Sequence, residues 1–154
     1  MDEMVKMLAD SPEDMRKQLM TERFTMIASQ PEEQRTQTVK DIVLAISRLD
    51  PPKRKAFIRT RTNVVAESPE DIRKAIQTAR VKAGSLVPMD VNQEDMMHIL
   101  ETTKEWSEEK RNMFMMSMKA AFQELGMEMP DMDAMMKKGA EAKAEPEKPW
   151  WKFW

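Results

Sequence analysis

The sequence predicts an all-α protein: an array or bundle of about seven or eight short helices followed by an extended aromatic C-terminal tail. Three observations carry this. Met, Lys, Glu and Ala are plentiful, while Gly (3) and Tyr (0) are scarce or missing, so helix formers dominate and strand formers are depleted. No long window alternates apolar and polar residues in strand fashion. A helix-start signature also recurs. Ser11-Pro12-Glu13-Asp14, Gln30-Pro31-Glu32-Glu33, Asp50-Pro51-Pro52 and Ser68-Pro69-Glu70-Asp71 fall 18 to 20 residues apart.

The signature has a physical reading. A cap-type side chain satisfies free N–H groups, proline fits the first turn, and the carboxylates suit the positive end of the helix dipole. Proline disfavours helix in the residue before it, so each mark ends one helix and starts another. Later starts use Asn92-Gln93-Glu94-Asp95 and Ser107-Glu108-Glu109. The expected helices are 2–9, 12–28, 31–49, 52–66, 69–83, 93–105, 107–125 and 131–139, with Gly84 and Gly126 as C-terminal stops. Their apolar stripes agree: Val39, Ile42, Val43, Ile46 and Leu49; Ile72, Ala75, Ile76 and Ala79; Phe114, Met118, Ala121, Phe122 and Leu125.

The chain divides into a helical repeat-like body at 1–83, a Met-rich helical part at 84–139, and a linker with an aromatic docking tail at 140–154. The near-constant period across 11–83 resembles helical-array domains such as the intracellular part of magnesium channels. That resemblance implies a fold type and no activity. Residues 84–92 interrupt the pattern, and 140–149 lack an apolar face.

Composition narrows the function classes. The 154 residues carry a formal net charge of -2, which gives no global field for nucleic acid. Absence of cysteine removes disulfides, thiolate metal sites and a Cys nucleophile. The acidic, amphipathic N-terminus lacks a secretory pattern, and the longest apolar run, Ile42 to Ile46, is far short of a membrane span. The expected location is cytoplasmic, with peripheral contact at the membrane. There is no Gly-rich phosphate loop, nucleophile elbow or metal-type His/Cys spacing. His98, the only histidine, is expected to point away from the stripe of Met96, Ile99, Leu100 and Thr103 into solvent. The sequence therefore reads as non-enzymatic, with no cofactor, catalytic residue, metal site or small-molecule substrate.

Three features point to partners. The segment Pro149, Trp150, Trp151, Lys152, Phe153, Trp154 holds three of the four tryptophans behind a polar, proline-bounded linker. Burying one aromatic side chain yields roughly 1.5–3 kcal/mol, so four supply about 6–12 kcal/mol before ordering costs. The linker is charge-balanced, which favours a protein groove over bare lipid. Methionine is in excess at 18 residues. Met113 and Met116 fall off the Phe114/Phe122 face, and Met129, Met132, Met135 and Met136 extend a soft, adaptable surface toward the tail. The segment Gly126 to Lys138 is similar to the methionine-rich domain of signal recognition particle protein, a resemblance that implies a groove for an apolar peptide. The third feature is the basic run Arg48, Lys53, Arg54, Lys55, Arg59 and Arg61, read as a solvated face or as a surface for an acidic partner or anionic headgroups.

The resulting expectation is an accessory or adaptor subunit, serving assembly or stabilisation, that docks on a larger protein complex. The complex would be membrane-associated, and Trp150, Trp151, Phe153 and Trp154 the anchors, with no specific nucleic acid bound. The alternative is a carrier or chaperone for Cu(I) or an apolar peptide, since thioethers suit soft ions.

Overall fold

A computed structural model describes residues 1–132 and 134. Among the described residues the fold is all-helical, with seven α-helices and no strand. They are α1 (Asp2–Asp10), α2 (Glu13–Ala28), α3 (Glu32–Ser47), α4 (Pro51–Glu67), α5 (Glu70–Gly84), α6 (Met89–Thr103) and α7 (Glu108–Glu124). From α2 onward the helices begin at residues 13, 32, 51, 70, 89 and 108, each 19 after the last. The repeating unit is thus one helix and one short joint.

This register corrects the expected start of the sixth helix. It begins at Met89, directly after Pro88, rather than at 93. Val87-Pro88 is the same punctuation as Ser68-Pro69, with an apolar residue in the capping place. Val87 is buried, so core packing holds the joint where a polar cap is missing.

The capping chemistry also differs from expectation. Pro12, Pro31, Pro69 and Pro88 occupy the N-cap position itself and offer no side-chain acceptor. Ser107 alone among these starts caps in the ordinary way, accepting from the Lys110 N–H. The polar residue before proline serves the helix behind it. Ser11 Oγ donates to the Met7 carbonyl at 2.8 Å, and Ser68 Oγ to the Val64 carbonyl.

The joints are closed by arginine. Arg16, Arg35, Arg54, Arg73 and Arg111 each donate to a carbonyl five residues back, on Ser11, Gln30, Leu49, Ser68 and Trp106, at 3.0–3.2 Å. These positions are again spaced by the helix register. The last carbonyls of a helix lack partners within it and lie at its negative end, so a guanidinium there supplies both a donor and a favourable charge. Gly126 ends α7 differently, with φ of +65°. Its N–H meets the Gln123 carbonyl and the Met127 N–H meets that of Phe122, a Schellman closure that favours glycine.

Helices pack mainly on their second neighbours. α1 lies on α3, α3 on α5 and α5 on α7, while α2 lies on α4 and α4 on α6. Odd and even helices therefore form two rows. α2 with α5, α1 with α4, α3 with α6 and α4 with α5 make the main cross-row contacts. One continuous core runs through all seven helices, from Val5 and Leu8 in α1 to Phe114, Met118 and Phe122 in α7. The stripe of Val39, Ile42, Val43, Ile46 and Leu49 is buried as expected.

Candidate functional site

The 19-residue register lines up equivalent positions as columns. One column holds Ile42, Arg61, Arg80, Ile99 and Met118, from α3 to α7. All five line a single internal cavity of about 40 Å³. Phe24, Val43, Val65, Ile76 and Phe114 complete most of its apolar wall, with Thr62 and Gln77. Three helices place an apolar side chain at this point and two place a buried arginine.

The arginines are held by Asp95. Arg61 Nη2 and Arg80 Nε both donate to Asp95 Oδ2, each at 2.9 Å. Arg80 Nη2 also reaches Asn92 Oδ1 at 2.8 Å. All three charged side chains are buried, at 8 % exposure or less. Asp95 belongs to a column that from α4 to α7 is otherwise Phe57, Ile76 and Phe114, with Thr38 at the α3 position, so among α4 to α7 the acid too stands where the others are apolar. Asn92 stands in the column of the joint arginines Arg54, Arg73 and Arg111, and here it accepts from Arg80 instead. Gly84 makes room for it: a Cβ at residue 84 would lie 2.7 Å from Asn92 Oδ1 and 3.0 Å from Arg80 Nη1.

Burial alone would push the Asp95 carboxyl up, but Arg61 and Arg80 outweigh it and hold the group below the ordinary carboxylate range. Burial draws Arg80 down against the attraction of Asp95, and Arg61 adds to that draw, yet a guanidinium keeps its proton in a protein. The centre thus carries two positive charges and one negative. Three of its buried polar atoms have no hydrogen-bond partner: Arg61 Nη1, Asp95 Oδ1 and Gln77 Oε1. Gln77 is oriented by its Nε2, which donates to the Phe114 carbonyl at 3.4 Å.

The expected basic surface is largely cancelled within the chain. Arg48 pairs with Asp2 at 2.8 Å, Lys53 with Asp10 at 2.7 Å, Arg59 with Glu105 at 3.0 Å, and Arg54 with Glu94. Lys55 lies 4.0 Å from Glu101. Arg61 does not belong to that surface at all. It is buried because its α4 position faces the central cavity, and the notion of a six-residue basic face is corrected accordingly.

His98 is half-buried rather than solvated, with 22 % side-chain exposure. It sits between Glu94 at 3.7 Å and Glu101 at 3.6 Å, one turn away on either side. With Lys55, Arg59 and Lys104 it lines a polar surface cleft of about 160 Å³. Among the described residues no group of three or more His, Cys, Asp or Glu side chains is placed to hold a metal ion.

The methionines divide. Met113 and Met116 are exposed on α7, as expected, at 38 % and 72 %. Met132 is buried in the chain's own core, and Met129 packs against that core. Met132 is therefore corrected as a partner-docking residue, while Met129 keeps part of its surface exposed. The expectations for Met135, Met136, Trp150, Trp151, Phe153 and Trp154 fall outside the described residues.

The chain matches no protein-family model, no curated protein and no solved structure.

Sequence reasoning missed Arg80, Asp95, Asn92 and Gln77. The signal that reveals them is the 19-residue register. Once the helices are aligned on it, two arginines and an aspartate stand in columns of Ile, Met and Phe.

Proposed function

We propose that this chain is a non-enzymatic accessory or adaptor subunit. On this reading it docks on an apolar groove of a larger, membrane-associated protein assembly, with the tryptophan-rich segment around residues 150–154 as anchor. One observation supports this best. Among the described residues α7 is the last helix of its row, packs on α5, and carries Met113 and Met116 exposed. Met127, just past the end of α7, is 37 % exposed. A helix edge bearing flexible thioether side chains suits an irregular apolar partner surface.

The charge pattern favours a protein over a lipid surface, because the lysines and arginines that would meet anionic headgroups are taken by Asp2, Asp10, Glu94 and Glu105. No helix among the described residues is long and apolar enough to cross a membrane. The alternative of a soft-metal or apolar-peptide carrier gains nothing from Met132, whose side chain is committed to the core.

The test is co-purification of the intact chain with a membrane-protein fraction, set beside a variant lacking residues 149–154 and a Met113→Glu/Met116→Glu variant. Both variants should keep the helical circular dichroism and lose the partner. Equal recovery of the partner by all three chains would overturn the proposal.

A further inference from the structure

The 19-residue register also shows which side of each helix meets the helix before it in the row. Pro12 and Pro31 are 19 residues apart, so α1 shares the register, and Met7 and Met26 fall in one column with Ala45, Val64, Ala83, Thr102 and Ala121. The last five are 5 % exposed or less, while Met7 and Met26 are 58 % and 60 % exposed. α6 packs chiefly on α4 and α3, and α7 on α5, all of which precede them. The burial of Thr102 and Ala121 therefore marks the column as the side turned to the preceding helix. α1 and α2 pack on each other and on later helices, so among the described residues this side of both stays open. The opposite end differs. Lys119 of α7 stands exposed in a column that is otherwise Phe24, Val43, Thr62, Val81 and Leu100, all buried. A charged outer face suits a terminal capping unit and disfavours head-to-tail stacking.

The open side of α2 has a pattern of its own. Met15, Leu19, Glu22 and Met26 follow the 4-3-4 spacing of one helix face, with both methionines exposed and Leu19 half-buried. Glu22 and Arg23 are exposed, and neither has an ion-pair partner among the described residues. About the midpoint between these two charges, Glu22 exchanges with Arg23 and Met26 with Leu19. Such a face is complementary to itself under a two-fold axis.

We propose that the occupant of this face is a second copy of the chain, with α2 of one protomer antiparallel on α2 of its partner. Glu22 pairs with the partner's Arg23, Met26 packs on the partner's Leu19, and Met7 extends the apolar patch from α1. In the later helices the column is Ala, Val or Thr, small enough for the chain's own next helix. Methionine there is longer and flexible, which suits a separate surface. Glu3 and Glu22 against Lys6 and Arg23 leave the face without net charge, so two copies do not repel. The interface does not use Met113 and Met116 of α7.

Sedimentation velocity of the full chain, from about 1 to about 500 µM, measures the association. Wild type should pass from monomer to dimer and stop there, because a two-fold interface closes. Met7→Glu/Met26→Glu should weaken the dimer about tenfold or more, with helical circular dichroism unchanged because both side chains are exposed in the monomer. Glu22→Arg and Arg23→Glu each set like charges opposite one another and should weaken it comparably. The combined Glu22→Arg/Arg23→Glu variant restores opposite charges and should return to within about threefold of wild type. Growth beyond a dimer, dimerisation lost in Met113→Glu/Met116→Glu instead, or a combined reversal no better than the single ones overturns the proposal. A chain still monomeric at about 500 µM also overturns it and leaves the face to a partner other than a copy.

Discussion

Replacing Asp95 with alanine removes the one acceptor shared by two buried guanidinium groups. Both contacts are short, 2.9 Å from Arg61 and from Arg80, and neither arginine has another carboxylate in its ion pairs. Breaking a buried ion pair from one side costs about 3–5 kcal/mol, because the partner charge stays inside without compensation. A domain of this size has about 5–15 kcal/mol in total, so Asp95→Ala removes roughly a fifth or more of it. With a urea slope of about 2 kcal/mol per M, the midpoint should fall by about 2 M. The register supplies the complementary variant. Arg61→Met, Arg80→Met and Asp95→Leu together restore the apolar character of the columns that hold Ile42, Ile99 and Met118, and Phe57, Ile76 and Phe114. That triple change should be neutral or stabilising by about 1–4 kcal/mol, since an apolar cluster can replace a buried ion network without loss. Urea unfolding monitored by circular dichroism, in one fixed salt, decides the matter. A cost for Asp95→Ala below about 1 kcal/mol, or a triple variant no more stable than Asp95→Ala, refutes the reasoning.

Arg35→Ala should cost about 1–3 kcal/mol in the same assay, because it strips the charged donor from the Gln30 carbonyl at the α2–α3 joint. Gly84→Ala gains up to ~1 kcal/mol of helix propensity but places a Cβ 2.7 Å from Asn92 Oδ1, with an overpacking cost of about 1–3 kcal/mol. A net fall of a few degrees in Tm is expected, and a rise contradicts the close approach of α5 and α6. For pH, the folded-state pKa of Asp95 lies below its unfolded value. Its contribution is therefore present above the unfolded carboxylate pKa and is lost as pH falls through the folded one. Wild type should thus lose stability on acidification more steeply than the Arg61→Met/Arg80→Met/Asp95→Leu variant, read as midpoint urea concentration against pH.

Much of the fold was legible because its punctuation is chemical. Proline followed by acids at residues 12, 31 and 69 cannot continue a helix and readily starts one, and the expected bounds of α1 to α5 and α7 agree with the structure within two residues, while the expected helix at 131–139 lies largely outside the described residues. The start of α6 is hard to read from sequence because Val87-Pro88-Met89 carries no cap and only one following acid, Asp90, whereas Asn92-Gln93-Glu94-Asp95 offers a cap and two acids. The central site was invisible for a related reason. Arg61 sits in a run with the exposed Arg48, Lys53, Lys55 and Arg59, and local charge density says nothing about which face turns inward. Arg80 and Asp95 lie 15 residues apart on different helices, and no local pattern joins them. Columns at the 19-residue spacing do join them, because equivalent positions on successive helices converge on one point. The angle of His98 to a single apolar stripe points it to solvent. In a two-row packing a helix is covered from more than one side, and a residue off the main stripe ends half-buried.

The one-helix unit has a consequence for how such a chain can lengthen or shorten. Successive helices alternate between the two rows, so each unit carries a parity. Adding or deleting one unit would send every later helix to the opposite row and turn its buried face toward new neighbours. Adding or deleting two consecutive units, such as those starting at 51 and 70, would keep every later helix in its own row. The architecture therefore tolerates change in pairs of helices, although the sequence repeats one helix at a time.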